Sequence, residues 1–424
     1  MTGHHNGHVD DLAPLFHQLD PAALRGRHGM KWSKCPPGVL PSWVADMDFP
    51  VAPVIVRALR AAVERSDLGY PLDDRTNGLP EAFAARAARL WGWDVDPARV
   101  HSLPDVVRGV ALCVERLTAE GDRVLVGVPA YPPLLTVVRQ QRRRLVEVPL
   151  ADDPHALREA VIRHRPRLVV LCNPHNPTGR VFTEPELRVA AHAAVDVGAV
   201  LVSDEIHAEL IYEGRHVPLA ALGRDIAANT VTLTSASKAF NLAGLRCAVM
   251  AVGTAPALAP LVEAVIGLRE PVGAFGILAT LAAWTPDGDE WLDACRMVLD
   301  GNRRLVAARL AGARSGIRYT PPQATYLAGL DCRALPVEGD PALWLLRRAR
   351  VAVSSGANFG SGGEGFVRLN FATSPTILDT MLGRIVDAVE QFGSEVAHHV
   401  LDAVDEGGVE PDRLVGLDVR DSSQ

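Results

Sequence analysis

The stretch TLTSASKAFNLAGL, Thr232 to Leu245, carries one charged residue, Lys238, in an otherwise neutral run. Of the 43 basic residues in the chain, all but Lys31, Lys34 and Lys238 are arginine. Such a skew fits a GC-rich genome, and it means that surface charge here is supplied by arginine. A guanidinium stays protonated and cannot form an imine, whereas a lysine amine can once burial or neighbours lower its pKa. Lys238 is therefore a candidate nucleophile on its context alone.

Working outward, Lys238 follows the apolar run Val231–Thr234. Similar runs lie at Val124–Val128, Leu168–Cys172, Val200–Ser203 and Ala248–Val252. They read as strands buried on both faces. Helical patterns separate several of them, and Thr183-Glu184-Pro185-Glu186 is a capping box opening a helix to about Val197. The alternation predicts an α/β fold with a mostly parallel sheet covered on both sides. The division expected is a disordered start over 1–12, then 13–51 belonging to a smaller α+β domain. A large domain over 52–289, the rest of the small domain over 290–394 and an acidic, weakly ordered tail over 395–424 follow. In the C-terminal part a helix is expected over Trp291–Ala311 and strands near Tyr326–Leu330, Val351–Ser354 and Phe366–Phe371. A last helix is expected from about Thr376 to Phe392.

The 424 residues carry a net charge of -7 with scattered basic groups, which gives no footprint for nucleic acid. The Arg142-Arg143-Arg144 cluster reads as a solvated loop. Six cysteines with no CxxC pair fit reduced thiols, not a disulfide framework or zinc site. His4, His5 and His8 read as a polar terminus, so no metal is expected. No apolar run is long enough to span a bilayer and no signal-peptide pattern opens the chain. A cytoplasmic enzyme is expected.

In an open α/β sheet, ligands gather beyond the carboxyl ends of the strands. Four such ends deliver chemistry here. Asp204 closes AVLVSDEIH, NPHNPTG (Asn173 to Gly179) follows LVVLC, Lys238 follows VTLTS, and Tyr131 follows VLVGVP. An acid, an amide, an amine and an aromatic ring on one edge are what a planar, charged, carbonyl-bearing cofactor needs.

In order and spacing, SASKAFNLAGLR (Ser235 to Arg246), Asn176-Pro177-Thr178-Gly179 and Ser203-Asp204-Glu205 resemble the signatures of fold-type-I pyridoxal 5'-phosphate (PLP) enzymes. The runs KW…LPSWVADMDFP (Lys31 to Pro50), NPHNPTGRVF, SDEIHAEL and SKAFNLAGL are similar, more narrowly, to the cystathionine β-lyase-type C–S lyases of the MalY/PatB group, over about residues 14–392. The resemblance implies a seven-stranded-type sheet and the cofactor PLP, with Lys238 holding it and later acting as base at Cα. It implies Asp204 against the pyridine nitrogen, Asn176 and His207 on the phenolic oxygen, and Tyr131 on the ring face. Ser235, Ser237, Arg246 and the amides of Val106 and Val107 would bind the phosphate. Arg368 would clamp the substrate α-carboxylate, with Ala45 and Asn176 lining that site. Tyr70, in the GYP turn, would reach the phosphate of a partner subunit, making the active site a homodimer's. The sequence departs from the family at Asp105 in LPDVVRGV, where many relatives carry glycine, and this Asp is read as a helix cap turned away from the phosphate.

The implied reaction is β-elimination on a cysteine S-conjugate or cystathionine, an amino-acid substrate giving thiol, pyruvate and ammonia. An aminotransferase stays open, as does decarboxylation or oxidation of an S-cysteinyl intermediate in specialised metabolism. A regulatory binding protein is a reading of another class. The pocket for the sulfur substituent is expected from loops around Pro36–Pro41, Pro132–Leu134 and Arg269–Phe275.

Overall fold

The structure is a computed structural model and describes residues 6–150, 154–268, 272–312 and 316–405. Its main sheet has seven strands. In spatial order they are Val100–Leu103, Ala248–Val252, Thr230–Thr234, Val200–Asp204, Leu168–Cys172, Arg123–Val128 and Arg144–Pro149. The last five run parallel, while Ala248–Val252 is antiparallel to both neighbours. The central strands are rich in Val, Leu and Thr and buried on both faces, because helices cover the sheet from either side. Helix Val106–Leu117 lies so close that a Cβ on Gly109 would sit 2.5 Å from the Leu233 side chain. The capping box at Thr183 is formed, its amide and hydroxyl each donating to Glu186 at 2.7 Å.

A four-stranded sheet follows, ordered Ser354–Ser355, Phe366–Asn370, Leu327–Asp331, Arg318–Tyr319 and antiparallel throughout. Its core joins the long helix Pro286–Ala311 to the N-terminal segment through Phe16, Phe49, Trp291 and Phe240, whose rings lie 5.0 to 6.0 Å apart. The strand expected over Val351–Ser354 is split. Val351–Ala352 pairs in parallel with Leu40–Pro41, and Ser354–Ser355 joins the four-stranded sheet, so the chain changes partner at Val353.

Helices reach into the segment expected to be disordered and into the tail expected to be weakly ordered. A helix spans Asn6–His17, anchored by Phe16, which is fully buried, and by Leu12 and Leu15 packed on the same core. The last helix runs over Pro375–Asp405, past the expected end at Phe392, since no proline interrupts it. The rest of the tail, 406–424, lies outside the described residues, as do 1–5 and three residues, 269–271, of the expected pocket loop. Arg144 opens an edge strand where a loop was expected. Among the described residues no helix is long and apolar enough to cross a membrane.

Candidate active site

Four adjacent parallel strands end on one edge, and each passes directly into a candidate residue. Asp204 is the last residue of its strand, facing Cys172 and Leu233 on either side. It is buried, and its Oδ1 accepts from the Ile206 amide at 3.2 Å. Ser235 caps the short helix Ala236–Ala239 that carries Lys238. Tyr131 caps helix Pro132–Gln140 and is half-buried. In the turn NPTG, Gly179 has φ 67° and a Cβ there would lie 2.2 Å from Pro322 Cβ, so only glycine lets this loop dock.

The opposite wall comes from the four-stranded sheet and from Trp43–Phe49. Arg368 is buried, opposite Gly329 and Ser354 in its sheet, where the missing side chain of glycine leaves room. Its Nη1 donates to Asn176 Oδ1 at 3.1 Å and its Nη2 to the Trp43 carbonyl at 2.9 Å and Ser354 Oγ at 3.3 Å. Its guanidinium stacks over the Phe359 ring at 5.0 Å, and its Nε is buried without a hydrogen-bond partner. The Trp43–Phe49 segment is a strap held by its carbonyls. Ser354 Oγ donates to Trp43 at 2.6 Å; Asn370 donates to Val44 and Asp46, each at 2.7 Å. Lys238 Nζ and Tyr326 Oη both donate to Ala45 at 2.9 Å, and Lys31 Nζ to Asp46 at 3.1 Å. Asn241 accepts from the Met47 amide and donates to the carbonyls of Met47 and Phe49. Thus the strap joins the Lys238 amine to the Arg368 guanidinium through backbone two residues apart.

Burial sets the charges. It lowers the pKa of the Lys238 amine, with Asp46 and Asp204 opposing and Arg368 assisting. It pushes the Asp204 carboxyl up to about 7, against the pull of the Ile206 amide. Burial, helped by Lys238 and Arg368, takes His207 down to about 3, so the ring is neutral near pH 7. His207 Nδ1 is buried without a partner and its ring meets Tyr326 edge-on at 6.2 Å. Because the folded value for Asp204 lies above the ordinary carboxyl range, its stability contribution is full below about pH 4 and is lost as pH rises through about 7. A rise of that size is worth at most about 4 kcal/mol. Asp204→Asn keeps the acceptor for Ile206 and removes the charge. Ligand-free variant protein is expected to melt a few degrees above the parent at pH 8, with the gap closing toward pH 4 in calorimetry.

Asp105 caps helix Val106–Leu117, its Oδ1 accepting from the Arg108 amide at 2.7 Å. Its other carboxylate oxygen, Oδ2, lies 2.5 Å from Nη2 of Arg246, one of the phosphate candidates. A carboxylate has two oxygens, and capping occupies only one. Ser235 donates its hydroxyl to the Cys247 carbonyl at 2.6 Å and accepts from the Ser237 amide at 3.0 Å. Val106 and Val107 form the first turn of the helix that Asp105 caps. Tyr70 stays fully exposed, outside this cluster. Asp46, Lys31, Tyr326, Asn241 and Asn370 join the site unforeseen. Lys31 carried the same signal as Lys238, its rarity.

A family model described as aminotransferase class I and II matches residues 46–385. A Corynebacterium glutamicum protein named cystathionine beta-lyase is 34% identical over 366 residues, 86% of this chain and 98% of that one. The Bacillus subtilis protein named cystathionine beta-lyase PatB is 31% identical, over 86% and 97% of the two chains. The crystal structure of a PLP-bound C–S lyase from Staphylococcus hominis superposes with a TM-score of 0.81 at 25% identity, covering 88% of this chain and 98% of that one. The fold, the strand-end residues and these matches have one meaning: the chain belongs to the aminotransferase class I and II family.

Proposed function

We propose that this protein is a PLP-dependent carbon–sulfur β-lyase that converts a cysteine S-conjugate or cystathionine, with water, into a thiol, pyruvate and ammonia. The observation that carries the reading is the strap. The segment whose sequence resembles the lyase branch, WVADMDF, is the one that contacts both Lys238 and Arg368. Relatives named as lyases along nearly their whole length support the same conclusion.

The buried groups fit the cofactor. Asp204, raised toward neutrality by burial, gains from a cationic partner such as a protonated ring nitrogen. His207, neutral and with an unpartnered buried Nδ1, and Asn176, tied to Arg368, suit a phenolic oxygen. Tyr131 supplies an aromatic face. Arg246, Ser237 and the amides of Val106 and Val107 would take the phosphate, with Ser235, whose hydroxyl donates to the Cys247 carbonyl, setting the turn that carries Ser237. When bound, PLP supplies a carbonyl that condenses with amines and a conjugated ring that accepts the electron pair left at Cα.

The chain does the rest. Lys238 would hold the cofactor through its amine and would serve as the base at Cα, since burial favours its neutral form. Arg368, held from three sides, orients the substrate by its α-carboxylate. The partly buried strap lies against the amine and holds it through the Ala45 carbonyl.

We further propose a homodimer with shared sites. The support is the exposed apolar turn Leu68, Tyr70 and Leu72, which suits a partner surface. The proposed division places 13–51 and 290–394 in a small domain and 52–289 in a large one, in a cytoplasmic protein. The decisive assay supplies an S-substituted cysteine without any keto acid. Free thiol with equimolar pyruvate and ammonia is expected. Turnover that requires a keto acid and releases no thiol would instead establish the aminotransferase.

A further inference from the structure

We propose that Asp105 sets the charge of the phosphate end of the cofactor site. Its carboxylate holds Arg246 and offsets that cation, so PLP binds more weakly than it would beside a neutral cap. This rests on the reading of the site as a PLP site.

One side chain does two things at this point. Asp105 Oδ1 accepts from the Arg108 amide at 2.7 Å, and Oδ2 lies 2.5 Å from Arg246 Nη2. The amides of Val106 and Val107, on the same first turn, lead the helix toward the same place. Ser235, another phosphate candidate, already spends its hydroxyl on the Cys247 carbonyl. The cation among the phosphate candidates is therefore Arg246, and Asp105 matches it charge for charge. The Tyr131 hydroxyl also feels the Asp105 carboxylate, which places that charge on the active-site side of the helix.

The helix does not require this charge. Asparagine and serine cap about as well as aspartate, because capping uses a lone pair. A phosphate dianion beside a carboxylate is a different matter. At the dielectric of a partly exposed site, like charges several ångströms apart weaken binding by about tenfold or more. Holding Arg246 in place contributes less, since its side chain is 63% exposed and exposed pairs are weak. Repulsion wins. The consequence is an enzyme whose cofactor occupancy follows the free PLP concentration.

The test titrates cofactor-stripped wild type, Asp105→Asn and Asp105→Ser with PLP, following the yellow absorbance that attachment to Lys238 produces. Pyridoxal, with the same ring and carbonyl but no phosphate, is titrated in parallel. Both variants retain a cap, so either one carries the measurement if the other misfolds. PLP affinity is expected to rise about tenfold in both, with pyridoxal unchanged and the gain shrinking at high salt. Unchanged or weaker PLP binding, or an equal gain for pyridoxal, overturns the proposal. Wild type that takes up no PLP at all overturns the cofactor reading instead.

Discussion

Lys238→Ala is expected to lower turnover of an S-substituted cysteine by about a thousandfold or more, because it removes both the covalent anchor and the base. The same variant should show no yellow absorbance with added PLP, and borohydride should label residue 238 only in the parent. Stability is expected to move the other way or not at all. Burial penalises the charged Lys238 amine, and alanine removes that penalty. The Ala45 carbonyl keeps a donor, the Tyr326 hydroxyl. A thermal melt of the ligand-free variant should thus lie at or above that of the parent, which separates lost chemistry from lost folding. A regulatory role through protein binding would survive the substitution untouched. Thiol release at the parental rate would sink the enzymatic assignment of Lys238.

Why this residue could be found in the sequence, and others could not, follows from what each signal is made of. Strands Leu168–Cys172 and Ala248–Val252 match their expected bounds, because burial on both faces leaves an unbroken apolar run. Within the seven-stranded sheet the two strands not anticipated, Val100–Leu103 and Arg144–Pro149, are its two edges. There the demand for apolar residues is weaker, and VHSL and RLVEVP mix polar groups into the pattern. Strand direction was not legible either, since Ala248–Val252 is as apolar as its neighbours yet antiparallel to them. In the site, Lys238 stood out by its rarity, and Lys238, Asp204 and the NPHNPTG turn by their place at or just past the ends of apolar runs, whereas Arg368 was implied by the family resemblance alone. The strap stood out only by its resemblance to the lyase branch; its contacts were not legible, because it is held through its carbonyls, and every residue has a carbonyl. Its partners Tyr326, Asn241 and Asn370 sit in stretches that read as core or turn. The second oxygen of Asp105 is the same kind of omission, a capping motif accounting for only half of a carboxylate.

Arg368→Lys should cost about a hundredfold to a thousandfold in kcat/KM while leaving the PLP absorbance in place. Burial brings the guanidinium pKa down only to about 10, so its charge persists through neutral pH and the loss should be level from pH 6 to pH 8. What lysine lacks is reach in three directions. Arg368 is tied to Asn176, to the Trp43 carbonyl and to Ser354, and it lies over Phe359. Those partners are neutral, and the remaining buried donor, Nε, has none. A buried cation so placed is incomplete until an anion arrives, and a substrate carboxylate supplies it. An ammonium on a flexible stem cannot keep the three ties and also present two parallel donors. The diagnostic measurement is a ratio. The parent should prefer an S-substituted cysteine over the matching S-substituted cysteamine, which lacks the carboxylate, and Arg368→Lys should erase most of that preference. If the variant discriminates as well as the parent, the carboxylate is bound elsewhere. The tie from Arg368 to the strap would then be structural, holding Trp43–Phe49 over the Lys238 amine without touching substrate.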